Sequence, residues 1–183
     1  MNYANTHKDI VEACRSGKRS AQYALYQKYS AAMYNICLRM LRHELDAEDV
    51  LQTSFMDVFA KLDTFRYDAS IGSWIKRIVV NNCINFLKKK RLDLAELQDS
   101  HHPIVEEKAE ADLPYDIQQI QEAIYQLPDG YRVVFNLYLM EGYDHQEIGE
   151  ILGVSETTSK SQYSRAKKKL RRLLSEESRG HIL

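Results

Sequence analysis

The chain has 183 residues, 44% of them hydrophobic, and its 25 Lys and Arg nearly balance 26 Asp and Glu. Such a length holds one domain or two small ones, and this apolar content excludes a chain that stays unfolded throughout. No apolar run nears the roughly 18 residues that span a bilayer, and the start MNYANTHKDIVEACRSGKRS is polar and then helical, unlike a secretory leader. The three cysteines, Cys14, Cys37 and Cys83, are widely spaced and form no CxxC or Cys/His pattern. They read as free thiols of a reducing, cytoplasmic protein, with neither a metal site nor a cofactor expected.

Leu25, Tyr29, Met33, Ile36 and Met40 recur at steps of three and four, the stripe of an amphipathic helix. A second helix follows, with Asp46 as its expected N-cap and Val50, Leu51, Phe55, Val58, Phe59 and Leu62 on its apolar side. Its other face carries Asp46, Glu48, Asp49, Gln52 and Asp57. That acidity is foreign to a DNA-facing helix and suits either plain solvation or a partner with basic residues. The segment DTFRYDASIGS breaks the period and is expected to be a loop. A third helix, from about Ser73 to Arg91, buries Ile75, Val79, Cys83 and Phe86. Opposite that stripe Arg77, Asn81, Asn85 and Lys88 fall within about 80° of one another at roughly 100° per residue. The run Lys88-Lys89-Lys90-Arg91 continues from them. Amide side chains can hydrogen-bond an unpaired base and basic ones its phosphates, although Asn is also simply tolerated on exposed helix faces.

From Asp93 to Asp116 eight acids stand against a single base, Lys108, beside two prolines and few large apolar residues. Such composition builds no core and reads as an acidic flexible linker. Its 24 residues reach roughly 80 Å when fully extended. Beyond it Ile117, Ile120, Ile124 and Leu127 form a further helical stripe that stops at Pro128. Asp129 is the expected cap of the next helix, whose inner face includes Val134, Leu137 and Tyr138 and which Gly142 ends. A short helix from Asp144 to Leu152 then stops at Gly153, and Ser155 caps a longer one reaching about Leu174. Helix, tight glycine turn and longer helix is the pattern of a helix-turn-helix.

The last helix holds seven bases and no acid between Lys160 and Arg172. Its core stripe is Ser159, Tyr163, Ala166, Leu170 and Leu173. On the other side Glu156, Thr157, Lys160, Ser161 and Ser164 are small or polar enough to approach base edges, while Arg165 and Lys168 stand among the bases that neutralise phosphates. The fold class is therefore all-α: two small helical bundles joined by an acidic linker, the second a helix-turn-helix domain. Enzyme readings find no support: no glycine-rich phosphate loop, HExxH or GxSxG is present, and His145 reads as a surface residue.

Three stretches, DAEDVLQTSF, SWIKRIVVNNCINFLKKKR and LPDGYRVVFNLYLMEGYDHQEIGEILGVS, occur in order around the acidic segment. Together they resemble the extracytoplasmic-function group of bacterial sigma factors in its two-domain form. The resemblance implies a transcription initiation factor without catalytic residues or a small-molecule substrate. Residues 1–92 would contact core RNA polymerase and the −10 element, 93–115 would thread the polymerase channel, and 116–183 would read the −35 element. It further implies that Asp49, Gln52 and Phe55 dock on the β′ clamp helices, overriding solvation as the account of that face. The loop near Phe65–Ser73 and the helix of Arg77, Asn81, Asn85 and Lys88 would capture a flipped non-template base. Thr157, Thr158, Lys160, Ser161, Ser164, Arg165 and Lys168 would lie at the −35 duplex, and the β flap and an anti-sigma factor would be further partners.

This chain departs from the family's habit at Ser159, Gln162 and Tyr163. A hydroxyl on the core stripe leads to the expectation that Ser159→Val is neutral or stabilising, its Oγ bonding back along its own helix. Gln162 is expected to forgo a phosphate contact. A conventional helix-turn-helix regulator is the main rival, separable because it would bind an operator alone as a dimer.

Overall fold

In the computed structural model, residues 7–90 and 116–180 are described, the side chains of the latter up to 176. The acidic stretch 93–115 lies outside them. The described residues are helical with no strand, and they fall in two compact units, one ending at Lys90. Among them no helix is long and apolar enough to cross a membrane, and no cluster of His, Cys, Asp or Glu could hold a metal ion.

The first unit contains α1 (Lys8–Arg15), α2 (Arg19–Leu41), α3 (Glu44–Lys61) and α4 (Ile71–Lys89), with a 3-10 turn at Leu62–Thr64. A tight turn at Gly17, φ +78°, reverses the chain between α1 and α2, a backbone state that glycine adopts without the Cβ clash. On α2 the expected stripe is real: Leu25, Met33, Ile36 and Met40 are buried, with Tyr29 half-buried. They meet Val50, Phe55 and Val58 of α3 and Ile75, Val79 and Cys83 of α4 in one core. All three cysteines are buried free thiols.

In this unit two helix starts differ from expectation for local reasons. Helix α3 begins two residues before Asp46, with His43 at the cap and its Nδ1 accepting the Asp46 N–H at 3.5 Å. Asp46 thus sits in the first turn, where its charge still opposes the helix dipole. Its carboxylate then reaches across to Lys90 Nζ, 2.6 Å away, at the far end of α4. Helix α4 starts at Ile71 rather than Ser73 because Ser70 caps it, Oγ accepting the Ser73 N–H at 3.1 Å. That start lies hard against α2: a Cβ on Gly72 would come within 2.9 Å of the Tyr29 ring. Trp74 is half-buried, its ring 5.4 Å from that of Phe65.

The second unit holds α5 (Ile117–Tyr125), α6 (Asp129–Phe135) running into a π-helical turn (Asn136–Met140), α7 (His145–Leu152) and α8 (Glu156–Gly180). Pro128, not Asp129, occupies the cap of α6; its missing N–H costs nothing there. Asp129, as the first helical residue, instead pairs with Arg132, which also donates to the Leu127 carbonyl at 2.9 Å. The side chain of Arg132 is 1% exposed, so a residue that reads as surface charge is an internal strut. Leu127, Phe135 and Ala166 form the centre of this unit, flanked by Ile124, Tyr163, Leu170 and Leu173.

Candidate nucleic-acid interface

Residues 144–158 build the turn that presents α8. Asp144 caps α7 by accepting the Glu147 N–H at 2.8 Å, while Glu147 Oε2 accepts the Asp144 N–H at 2.8 Å, a reciprocal capping box. Gly153, φ +77°, ends α7, and both its N–H and that of Val154 reach the Gly149 carbonyl, at 2.8 and 2.9 Å. Gly149 is needed for closeness rather than φ: a Cβ there would meet the Val154 carbonyl oxygen at 2.7 Å. Ser155 then caps α8, its Oγ accepting the Thr158 N–H at 3.0 Å. Two caps and a glycine turn therefore fix where α8 begins, as its sequence foretold.

Along α8, Thr157, Lys160 and Lys168 are exposed, and Thr158, Ser161, Ser164 and Arg165 are half-buried. Exposed Lys167 and Arg171 continue the basic surface, Lys167 Nζ standing 4.8 Å over the Tyr163 ring. Lys160 is paired with Glu156 at 2.7 Å, so a phosphate must compete with that carboxylate. Gln162 is 2% exposed and packs inside; its position therefore removes no phosphate contact.

Ser159 corrects a second expectation. It is fully buried, and its Oγ lies 2.9 Å from Nδ1 of His145 on α7, not bonded along its own helix. His145 is half-buried rather than a surface residue, stacked on Tyr138 at 4.4 Å between ring centroids. Burial, aided by nearby Lys160, lowers the His145 pKa below its ordinary value, which favours a neutral ring. The Ser159–His145 contact ties α7 to α8 just behind the surface residues. Ser159→Val is now expected to destabilise this unit by about 1 kcal/mol, the net worth of one such bond. An unchanged melting temperature would show that the bond contributes nothing.

In the first unit Arg77, Asn81, Asn85 and Lys88 are all exposed on one side of α4, opposite buried Ile75, Val79 and Cys83. Asn82, beside them, turns inward and donates to Ser54 Oγ at 3.2 Å and to Asp57 Oδ2 at 3.0 Å on α3. That bond reassigns Asp57 from the acidic face to the α3–α4 contact, a pairing that no helical period reveals.

On α3, Asp49 and Gln52 are exposed but Phe55 is 3% exposed, its ring edge-on to Tyr26 at 4.8 Å. Phe55 is a core residue, and its expected place on a docking face is corrected accordingly. The exposed apolar residues of α3 are instead Leu45, at 66%, and Met56, at 72%. Both lie off the apolar stripe, which was the available signal.

A capped short helix, a glycine turn and an exposed basic second helix define the second unit as a helix-turn-helix of the DNA-binding class. Residues 117–170 match the family description Sigma-70, region 4, and residues 25–92 match Sigma-70 region 2. The chain is 30% identical to the ECF RNA polymerase sigma factor SigW of Bacillus subtilis, over 91% of this chain and 96% of that protein. It is 28% identical to SigM of Mycobacterium tuberculosis, covering 94% of this chain and 86% of that one. Among solved structures it is similar to the sigma factor RpoE of Bartonella quintana, crystallised with the anti-sigma factor NepR. That likeness has a TM-score of 0.57 at 26% identity and covers 84% of this chain and 96% of the other. The chain belongs to the extracytoplasmic-function family of RNA polymerase sigma factors. It is a promoter-directing initiation factor, working with core RNA polymerase and promoter DNA and performing no chemistry of its own.

Proposed function

We propose that this factor divides promoter reading between its two units. Residues 116–183 read the −35 duplex through α8, with Thr157, Thr158, Lys160, Ser161, Ser164 and Arg165 toward the groove and Lys168 toward phosphate. Residues 1–92 capture the melted −10 non-template strand with Arg77, Asn81, Asn85 and Lys88. The exposed side of α3 around Asp49 and Gln52 docks on the β′ clamp helices, residues 93–115 thread the polymerase channel as an acidic tether, and the β flap meets the second unit. Cytoplasmic action and restraint by an anti-sigma factor complete the reading, the latter suggested by the complex in which the Bartonella quintana relative was solved.

The observation carrying most weight is the pairing, on α4, of an exposed amide-and-base row with a buried apolar stripe. Amides serve base edges and cations serve phosphates, so such a row suits a single strand better than a duplex. The test is run-off transcription with purified core polymerase on a library of promoter sequences, followed by Asn81→Ala on the promoter selected. The variant is expected to lower open-complex formation by about tenfold, equivalent to a lost base contact, while core polymerase binding is retained. No initiation from any promoter would refute the reading; equal loss of both activities would remove Asn81 from the base contact.

A further inference from the structure

The loop that joins the docking helix to the strand-capturing helix is held from outside the matched region 2. That match begins at residue 25, whereas the contacts come from Glu12 and Arg15 on α1. Arg15 is directed at the loop's entrance: Nε and Nη2 donate to the Leu62 carbonyl at 3.3 and 3.1 Å, and Nη2 also donates to the Phe65 carbonyl. Its Nη1 is paired with Glu12 Oε1 at 2.8 Å. The same Glu12 oxygen accepts the Tyr67 hydroxyl at 2.5 Å, across 55 residues of chain. The Arg15 guanidinium and the Lys8 ammonium stand 5.3 and 5.8 Å from the centre of the Tyr67 ring.

Tyr67 needs such holding. Its φ of +63° is left-handed, which a side chain with a Cβ rarely adopts unless its surroundings impose it. Burial first, and then the bond to Glu12, raise its phenol to about 12, so it remains a proton donor at any working pH. The rings continue the connection inward: Tyr67 packs on Phe65 at 4.7 Å, and Phe65 on Trp74 of α4 at 5.4 Å. With Phe65 buried and Tyr67 pinned, the residues left facing outward are Arg66, Asp68 and Ala69.

We infer that Glu12 and Arg15 are positioning residues for promoter-strand capture, setting the shape in which the Phe65–Ser70 loop receives an unpaired base. This rests on the reading of α4 and its preceding loop as the −10 strand site. A loop that discriminates among bases must hold its geometry before the base arrives, and charge-assisted bonds to its carbonyls supply that rigidity. Neither residue touches the strand; each acts through Tyr67 or the loop carbonyls.

The test uses holoenzyme assembled from full-length variants and core polymerase. It is bound to fork-junction DNA built on the promoter selected above, with each of the four bases in turn at single-stranded non-template positions of the −10 element. Glu12→Ala, Arg15→Ala and Tyr67→Phe are expected to lower selectivity for the preferred base about tenfold, as for loss of a bond to a charged group. Core polymerase affinity and −35 duplex binding stay near wild type. Glu12→Gln, which still offers an oxygen to the Tyr67 hydroxyl, recovers most of the selectivity. Unaltered base selectivity in Arg15→Ala and Tyr67→Phe overturns the inference. A selectivity loss matched by equal loss of core polymerase affinity overturns it too, since that marks general unfolding. Asn81→Ala runs alongside: if it alone loses selectivity, only the role of Glu12 and Arg15 fails, and if no variant does, the strand-capture reading fails with it.

Discussion

Arg132→Met is expected to destabilise the C-terminal unit by about 3–5 kcal/mol, the usual cost of removing one partner from a buried ion pair. Methionine keeps most of the volume, so the loss is electrostatic and hydrogen-bonding rather than a cavity. The Leu127 carbonyl would lose its side-chain donor, and Asp129, 14% exposed, would lose its counter-charge. At roughly 4–8 °C per kcal/mol for a unit of this size, the melting temperature falls by at least about 12 °C. Calorimetry of the full chain reads this directly. Asp129→Asn, which keeps an acceptor for the guanidinium, is expected to cost less. A drop of only a few degrees for Arg132→Met would mean that the guanidinium is dispensable to the turn at Pro128.

The second large effect is on DNA affinity. Lys167 and Arg171 are exposed on α8 behind the residues proposed to meet base edges. Each phosphate neutralised contributes about 0.9 to the slope of log affinity against log salt, so changing both to Gln should flatten it by about 1.8. The weakening should be nearly the same for good and poor −35 sequences, because a phosphate contact carries no base information. Holoenzyme binding to −35 duplex DNA, titrated with salt, measures both. An unaltered slope would leave these two side chains facing solvent in the complex. Lys160 is a poorer choice for the experiment, since its pairing with Glu156 is lost as well when it is replaced.

Those two experiments draw on different kinds of information. The basic surface of α8 was legible residue by residue, because charge and helical period are local properties of the chain. The same holds for the exposed row on α4 and for the glycine turn with its two caps. Arg132 was not legible: a base three residues after an acid at a helix start reads as an exposed ion pair, and only the folded unit shows it buried. Phe55 failed for a related reason. Its spacing placed it on the apolar stripe, while the family resemblance placed it on the docking face, and the close approach of Tyr26 decides for the core. Leu45 and Met56 show the complementary case, where apolar residues off the stripe remain exposed on the same helix.

Small errors at helix starts have their own cause. Several groups compete to accept the first N–H bonds of a helix, and their energies differ by only about 1 kcal/mol. His43 therefore displaced Asp46. At α6 no side chain caps, and Pro128 stands at the boundary because its restricted φ suits a helix start. Both acids remain in the first turn.

The all-helical class, the order of the helices, the helix-turn-helix and the polarity of its faces could be read from the residues in order. All of these follow from spacings of three and four residues and from local charge. Tertiary structure alone decided what ties the pieces together. His145 meets Ser159 across 14 residues, Asn82 meets Asp57 across 25, and Tyr67 meets Glu12 across 55. Such partners share no period, and each bond forms only because the folded chain brings two distant groups within reach.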